Sequence, residues 1–357
     1  MKKLLYISDQ FKNSNHNFIE SFFNGYLKKH FDVTLVYFSR GDFLKKEGNI
    51  ITFPYKKRKR IHKEIKLDYD YVIVRNRFDI LKRFTKLNRD FKLGFQLSFP
   101  HTFRRYYQAQ MEKKSLIRKK IEYEIKNFLE KRLIKKCDFF LPITDTMQKI
   151  FYYEIKIPYF PLPLGADRNL LFNKETREDE KIRFIYIGSV DKLREMDTVL
   201  KAFSNIKKEN FLLDIFTPNE NYAKTLLQKE RENINIYPSL PRKEIIKKLS
   251  SYDIGVALIP PTLLYIVSSP IKVMEYYSSS IPSLMSKIPE CTQLFCNEKE
   301  GWLCDFDEKS IEETIKKILK TPKSEIKKMG ERGREKLLKN RNYEKLSKNF
   351  YDFLNSL

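Results

Sequence analysis

Ser268-Ser269-Pro270-Ile271-Lys272-Val273-Met274-Glu275 puts a serine and a proline where a helix starts, a lysine in its first turn and a glutamate three residues further on. Ser269 is expected as the cap and Pro270 as the first helical residue, where a missing N–H has no partner to lose. Free N–H groups and the dipole attract anions to such an end, and Lys272 adds a full positive charge. Lys272 and Glu275 lie one turn apart on one face, an arrangement suited to a phosphate and a neighbouring ribose. A solvated surface Lys–Glu pair is the other reading.

A second segment, Tyr186-Ile187-Gly188-Ser189-Val190-Asp191-Lys192-Leu193-Arg194, closes a strand and leads to a helix at Thr198–Phe203. Gly188 permits close approach of a ligand to the backbone, and Lys192 and Arg194 can reach past it; a planar guanidinium suits bidentate phosphate contact. An ordinary strand-to-helix turn is the alternative. Asp68-Tyr69-Asp70 and Asp305-Phe306-Asp307 have a metal-binding look, but the first precedes a strand and the second suits a helix cap. Two carboxylates alone make a poor cage for a divalent cation.

These residues need strands and helices to hold them. Short apolar runs at 4–7, 33–38, 71–74, 93–97 and 139–143 read as buried strands, with helices at about 17–29 and a long basic helix at about 115–136. The polar run Asn173–Lys181 reads as a linker. A second alternation follows, with strands at 183–187, 211–216, 234–237, 254–259 and 282–285. This pattern predicts two doubly wound parallel α/β domains with a ligand cleft at the carboxyl ends of their strands. The expected division is 1–170, a linker at 171–181, a second domain at 182–335, and a C-terminal helix at 336–357 that returns to the first.

The chain has 357 residues, with 70 Lys and Arg against 46 Asp and Glu, a net charge of +24; hydrophobic residues make up 41%. That composition supplies packed cores and excludes wholesale disorder. The apolar run at 254–267 is interrupted by Pro260-Pro261 and falls short of the roughly 20 residues of a membrane helix. The start, with only Leu4–Ile7 apolar before Ser8, lacks the pattern of a secretory leader, which predicts a cytoplasmic location. The four cysteines lack zinc-site spacing and read as reduced core thiols. Basic residues concentrate at 56–66 and 104–136, a pattern expected for an anionic membrane surface. Nucleic acid is a weaker reading of the same charge, because no nucleic-acid-binding signature accompanies it.

In order and spacing these segments resemble the retaining nucleotide-sugar glycosyltransferases of the GT-B fold, family 4 and its group 1 relatives. Gly188–Arg194 is similar to the loop that bears the basic diphosphate contact, and Ser269–Tyr276 to the donor-binding helix. Leu162-Pro163-Leu164-Gly165-Ala166-Asp167 resembles the stretch ending the first domain; Tyr252–Pro260 and Glu300-Gly301-Trp302-Leu303 also fit. The resemblance implies Lys272 and Arg194 on the diphosphate and Glu275 on the ribose. Gly188, Ser189, Lys192, Ser268, Ser269, Pro270 and Ile271 would complete the donor site, with Tyr237, Ser239 and Leu240 beside the nucleobase. It implies His101 near the sugar, with a plain loop histidine as the alternative. Asn13, Ser14, Asn15 and His16 are expected on the acceptor side. No metal or other cofactor is implied.

Two departures stand out. Val267 occupies the position of the first glutamate of the family's motif, and the loop Gln10–His16 lacks a glycine pair. The expected activity is metal-independent hexosyl transfer to a lipid-linked or surface-polysaccharide acceptor, as in lipopolysaccharide or capsule assembly in bacteria, at the inner face of the cell membrane. The alternatives are a sugar-nucleotide epimerase on the same fold and a scaffold that has lost catalysis.

Overall fold

In a computed structural model the chain is described throughout except at Asn15, Ser115, 168–180, 208–209 and 228–230. The described residues divide into two compact units: Met1–Leu164 with Val267–Ser269 and Tyr343–Leu357, and Gly165–Ile266 with Pro270–Asn342.

The first unit is built on β1 (Lys3–Phe11), β2 (Asp32–Ser39), β3 (Lys45–Glu47), β4 (Ile50–Pro54), β5 (Tyr71–Arg75), β6 (Lys92–Leu97) and β7 (Phe139–Pro142). They pair in the order β3-β4-β2-β1-β5-β6-β7, all parallel except β3 against β4. Leu4 lies between Val33 and Tyr71 in register, and Leu4–Ile7 are wholly buried. Continuous apolar runs of this kind belong to parallel strands covered on both faces. The edge strand β3 is exposed and reads Lys-Lys-Glu, charges that discourage pairing with another chain.

The core of this unit is aromatic. Phe18, Phe22 and Phe23 pack with Tyr343, Phe350 and Leu354 of the C-terminal helix Tyr343–Asn355, whose Leu354 carbonyl accepts from the Tyr71 hydroxyl at 2.8 Å. The preceding helix, Lys323–Arg341, contains the division expected at 335/336; the change of unit falls after Asn342.

The second unit carries β8 (Ile182–Ile187), β9 (Phe211–Thr217), β10 (Ile234–Pro238), β11 (Ile254–Ala257), β12 (Ser283–Ser286) and β13 (Trp302–Cys304). Their order is β10-β9-β8-β11-β12-β13, all parallel. The chain runs outward from β8 to one side and returns from β11 to the other, leaving a crevice at the carboxyl ends of β8 and β11. β1 and β5 form the corresponding reversal in the first unit.

Some expectations need correction. The helix expected at 17–29 is a π-turn at Ile19–Phe23 and a 3-10 turn at Tyr26–Lys29, parted at Gly25, where an added Cβ would lie 2.4 Å from the Ser21 carbonyl oxygen. β3, β4 and β13 were not foreseen: each is at most five residues long, and β3 is wholly charged. β11 ends at Ala257, not at residue 259. Cys137, Cys291 and Cys304 are buried free thiols, whereas Cys296 is exposed. The expected linker 171–181 lies, but for Lys181, outside the described residues.

Candidate functional site

At the end of β8, Gly188 adopts φ +137°, in the region that favours glycine, and its N–H donates to the Phe216 carbonyl at 2.9 Å. A Cβ there would meet Lys272 Cε at 2.6 Å and Nζ at 2.7 Å. The absent side chain is therefore the space that Lys272 fills. Beyond it, the Asp191 carboxylate accepts from the Arg194 N–H at 3.0 Å and caps the 3-10 turn Lys192–Arg194. Glu195 follows in the left-handed region (φ 47°) and starts the helix Met196–Asn205. The Arg194 guanidinium lies 5.5 Å from the Tyr265 ring centroid.

The second contributor is the helix Ile271–Ser278, held to β11 by Tyr276, whose ring a Cβ on Gly255 would strike at 2.2 Å. Pro270 sits at the cap position, so the helix starts one residue later than expected, and Pro270 has no side chain with which to cap. Ser269 is not the cap: its Oγ accepts from the Leu164 N–H at 3.3 Å, and both belong to the first unit. The first turn of this helix thus has amides that no side chain satisfies.

Lys272 Nζ lies 3.9 Å from the Tyr186 ring centroid, buried and without a hydrogen-bond partner among the described residues. Burial, and then the Arg194 charge, hold its pKa well below the usual lysine range against the opposing pull of Asp191 and Glu275. Three residues on, burial raises the Glu275 pKa while Arg242 and Lys272 oppose the rise. Arg242 Nε donates to Glu275 Oε1 at 3.0 Å. Arg242 starts the helix Arg242–Leu249 and was not singled out from sequence. Its one sign there is a cation in a helix's first turn, where the dipole disfavours it.

The structure brings together Gly188, Arg194, Lys272 and Glu275. Ser189 lies beside them, its carbonyl accepting from the Tyr186 hydroxyl at 2.7 Å, while Lys192 and Ile271 are exposed. Tyr237 stacks on Phe216 (centroids 5.1 Å, planes 20° apart) and is exposed, as is Ser239; Leu240 is half-buried. Val267 is buried, and its carbonyl accepts from the Thr144 hydroxyl at 2.8 Å within the first unit.

In the first unit, polar residues gather where β1, β5 and β6 end. Buried Arg75 pairs with Asp9 and donates to Ser98 Oγ at 3.2 Å; His16 Nε2 lies 3.3 Å from Arg75 Nη2. Asn76, at φ 55°, donates to Asp9 at 2.8 Å and to Ser98 at 2.7 Å. Burial would raise the Asp9 pKa, but the Arg75 charge and the Asn76 bond lower it on balance. His101 begins the helix His101–Met111 rather than lying in a loop. Burial lowers its pKa, with Asp9 opposing and Arg104, Arg75 and Arg105 reinforcing, so it is neutral at pH 7. Asp9, Arg75 and Asn76 escaped sequence reasoning, although polar residues closing buried strands were a readable sign. Ser14 sits in the 3-10 turn Lys12–Ser14; Asn15 and the side chain of Asn13 are outside the described residues. Asp307 caps the helix Glu308–Lys320, and Asp68 pairs with Lys3.

Solved structures share this architecture over the whole chain. Sucrose-phosphate synthase from Thermosynechococcus elongatus is similar at TM-score 0.75 and 11% identity, with 99% of each chain covered. A UDP-forming α,α-trehalose-phosphate synthase from Burkholderia xenovorans is similar at 0.69 and 11%, again over 99% of each. A glycosyltransferase from Rickettsia africae reaches 0.66 and 14%, covering 99% of this chain and 98% of that one. The fold is GT-B and the chain is a glycosyltransferase. Residues 167–336, nearly the whole second unit, match the family model of glycosyl transferases group 1. No curated protein matches by sequence.

Proposed function

We propose that the enzyme moves a sugar from a nucleotide-sugar donor, with retention, to a lipid-linked or surface-glycan acceptor at an anionic membrane surface. The observation that carries the donor reading is the buried Lys272 amine with no hydrogen-bond partner among the described residues, at a helix start beside Gly188 and near Arg194. Scission of a sugar–phosphate bond leaves negative charge on the diphosphate. A cation and helix amides already in place stabilise that charge with little reorganisation. Glu275, steadied by Arg242, has a second oxygen to offer the ribose hydroxyls. The acceptor hydroxyl attacks on the face that the diphosphate leaves, and a phosphate oxygen takes its proton, so no protein nucleophile and no metal ion is needed. Release of nucleoside diphosphate from a panel of UDP-, GDP- and ADP-sugars, with the product's anomeric configuration followed by NMR, tests this. One base should be turned over with retention and lost in Arg194→Ala and Lys272→Ala; release from none of them contradicts it. Isomerised sugar without release would indicate an epimerase.

The membrane part of the proposal is supported by the helix Leu116–Ile134. Ile117 (80% exposed), Ile121, Ile125 and Phe128 (64% exposed) form one solvent-facing stripe with exposed Arg118 and Lys120 nearby. Apolar side chains flanked by cations suit the interface of an anionic bilayer. No helix among the described residues is long and apolar enough to cross a membrane. Phosphatidylglycerol vesicles should bind the protein, phosphatidylcholine vesicles much less, and Ile121→Asp/Phe128→Asp should release it. Self-association through this face, seen by sedimentation and abolished by the same changes, would replace the membrane reading.

A further inference from the structure

The first unit contains a cavity of about 650 Å³ that adjoins the strand-end cluster at Asn76, walled by the helix Phe78–Phe84, the start of His101–Met111 and the helix Leu116–Ile134. The last of these contributes Lys126, Leu129, Glu130 and Leu133, which recur at helical spacing on a different side from Ile117, Ile121 and Ile125.

The charge on these walls is unbalanced. Lys82, Lys86, Arg105, Arg132 and Lys136 all line the cavity, and none of them forms an ion pair among the described residues. Of the two carboxylates on the wall, Asp79 is engaged by Arg58 and Arg77. Glu130 hydrogen-bonds Thr102, and burial pushes its pKa up to about 7 against Arg105 and Lys126. Neither acid cancels the free cations. Phe78, Leu129 and Leu133 supply apolar wall between them. At one end stands His101, which also feels Asp9 and so connects the cavity with the strand-end cluster.

Five unpaired cations around an apolar floor recognise a phosphate or diphosphate ester whose organic part is not fully hydrated. We infer that this cavity holds the phosphate-bearing part of the acceptor, with the acceptor hydroxyl toward His101. The inference rests on the transferase reading above and specifies the class of acceptor. The ester could be the diphosphate headgroup of a lipid-linked glycan or a free sugar phosphate.

Calorimetric titration of the full chain with farnesyl diphosphate, glucose 6-phosphate, inorganic pyrophosphate and farnesol tests it. At least one phosphate ester should bind, more weakly as salt is raised, and bind at least about tenfold more weakly to Lys82→Glu/Arg132→Glu. Binding of farnesyl diphosphate well above pyrophosphate assigns the lipid source; binding of glucose 6-phosphate at comparable strength assigns the free sugar phosphate. Lys82→Gln/Arg132→Gln, which removes charge without reversing it, should give an intermediate loss and guards against misfolding. The inference is overturned if no phosphate ester binds, if farnesol binds as tightly as its diphosphate, or if charge reversal leaves the affinities unchanged. Nucleoside-diphosphate binding, measured on the same variants, should be unaltered; its absence in the unsubstituted protein would strike at the transferase reading instead.

Discussion

The two units hold their cations in different ways. In the second, one amine is buried to its tip against Tyr186, next to a glycine with no room for a side chain, and a carboxylate three residues on is fixed by an arginine. In the first, unpaired lysines and arginines line an open cavity with an apolar wall. A site with one buried cation and a fixed approach fits a ligand portion that does not vary, such as a diphosphate. A broad basic cavity fits a ligand that is specified by charge and bulk. The group 1 match covers 167–336 and so falls on the first kind of site, whereas the first unit carries the fold without that pattern.

The sharpest break of this contrast is Lys272→Ala. Losing one preorganised group that meets developing charge costs about 10²–10³ in turnover. The same substitution at Lys82 should leave donor hydrolysis unchanged; equal losses at both positions would erase the distinction. Gly188→Ala comes next: the added methyl displaces Lys272 and strains a positive φ, so nucleoside-diphosphate affinity should fall by about tenfold or more, read by calorimetry. Arg242→Ala should raise the donor KM several-fold with little change in kcat, because Glu275 keeps its place in the helix but loses its orienting partner. Arg242→Lys should recover part of that loss.

The smallest effect is a proton count. Burial and Arg194 depress Lys272, with Asp191 and Glu275 opposing, and a bound diphosphate raises its pKa again. Between the free and bound pKa values the complex holds more protons than its parts. Nucleotide binding should therefore take up protons, by a fraction that vanishes once pH falls below the depressed value. Calorimetry in buffers of different ionisation enthalpy measures this; Lys272→Met should abolish the uptake and Lys82→Met should not.

Most of the second unit's site was readable because its chemistry is local in sequence. Lys272 and Glu275 are one helical turn apart, and Gly188 and Arg194 share one loop. Arg242 was hard to read, since it reaches Glu275 across 33 residues and its one local sign, a cation in a helix's first turn, names no partner. The same reason hid the first unit's cluster: Asp9 and Arg75 are 66 residues apart and meet only because β1 and β5 pair. The core strands were legible as apolar runs, whereas β3, β4 and β13 are short edge or near-edge strands whose pairing the sequence does not announce. The turns at 19–29 deceived because Phe18, Phe22, Phe23, Tyr26 and Leu27 recur at helical spacing on both sides of Gly25. The basic stretch 104–136 was visible as charge, but its division into an exposed apolar stripe and a cavity wall needed the helix in place.

The central claim is that Lys272 receives the diphosphate of the donor. Its most direct test is calorimetric titration of the chain and of Lys272→Ala with the nucleoside diphosphate that the turnover panel selects. The account predicts that the substitution weakens binding by at least about thirtyfold, equivalent to about 2 kcal/mol, with the thermal midpoint of the free protein little changed. Affinities within a factor of two of each other would contradict it.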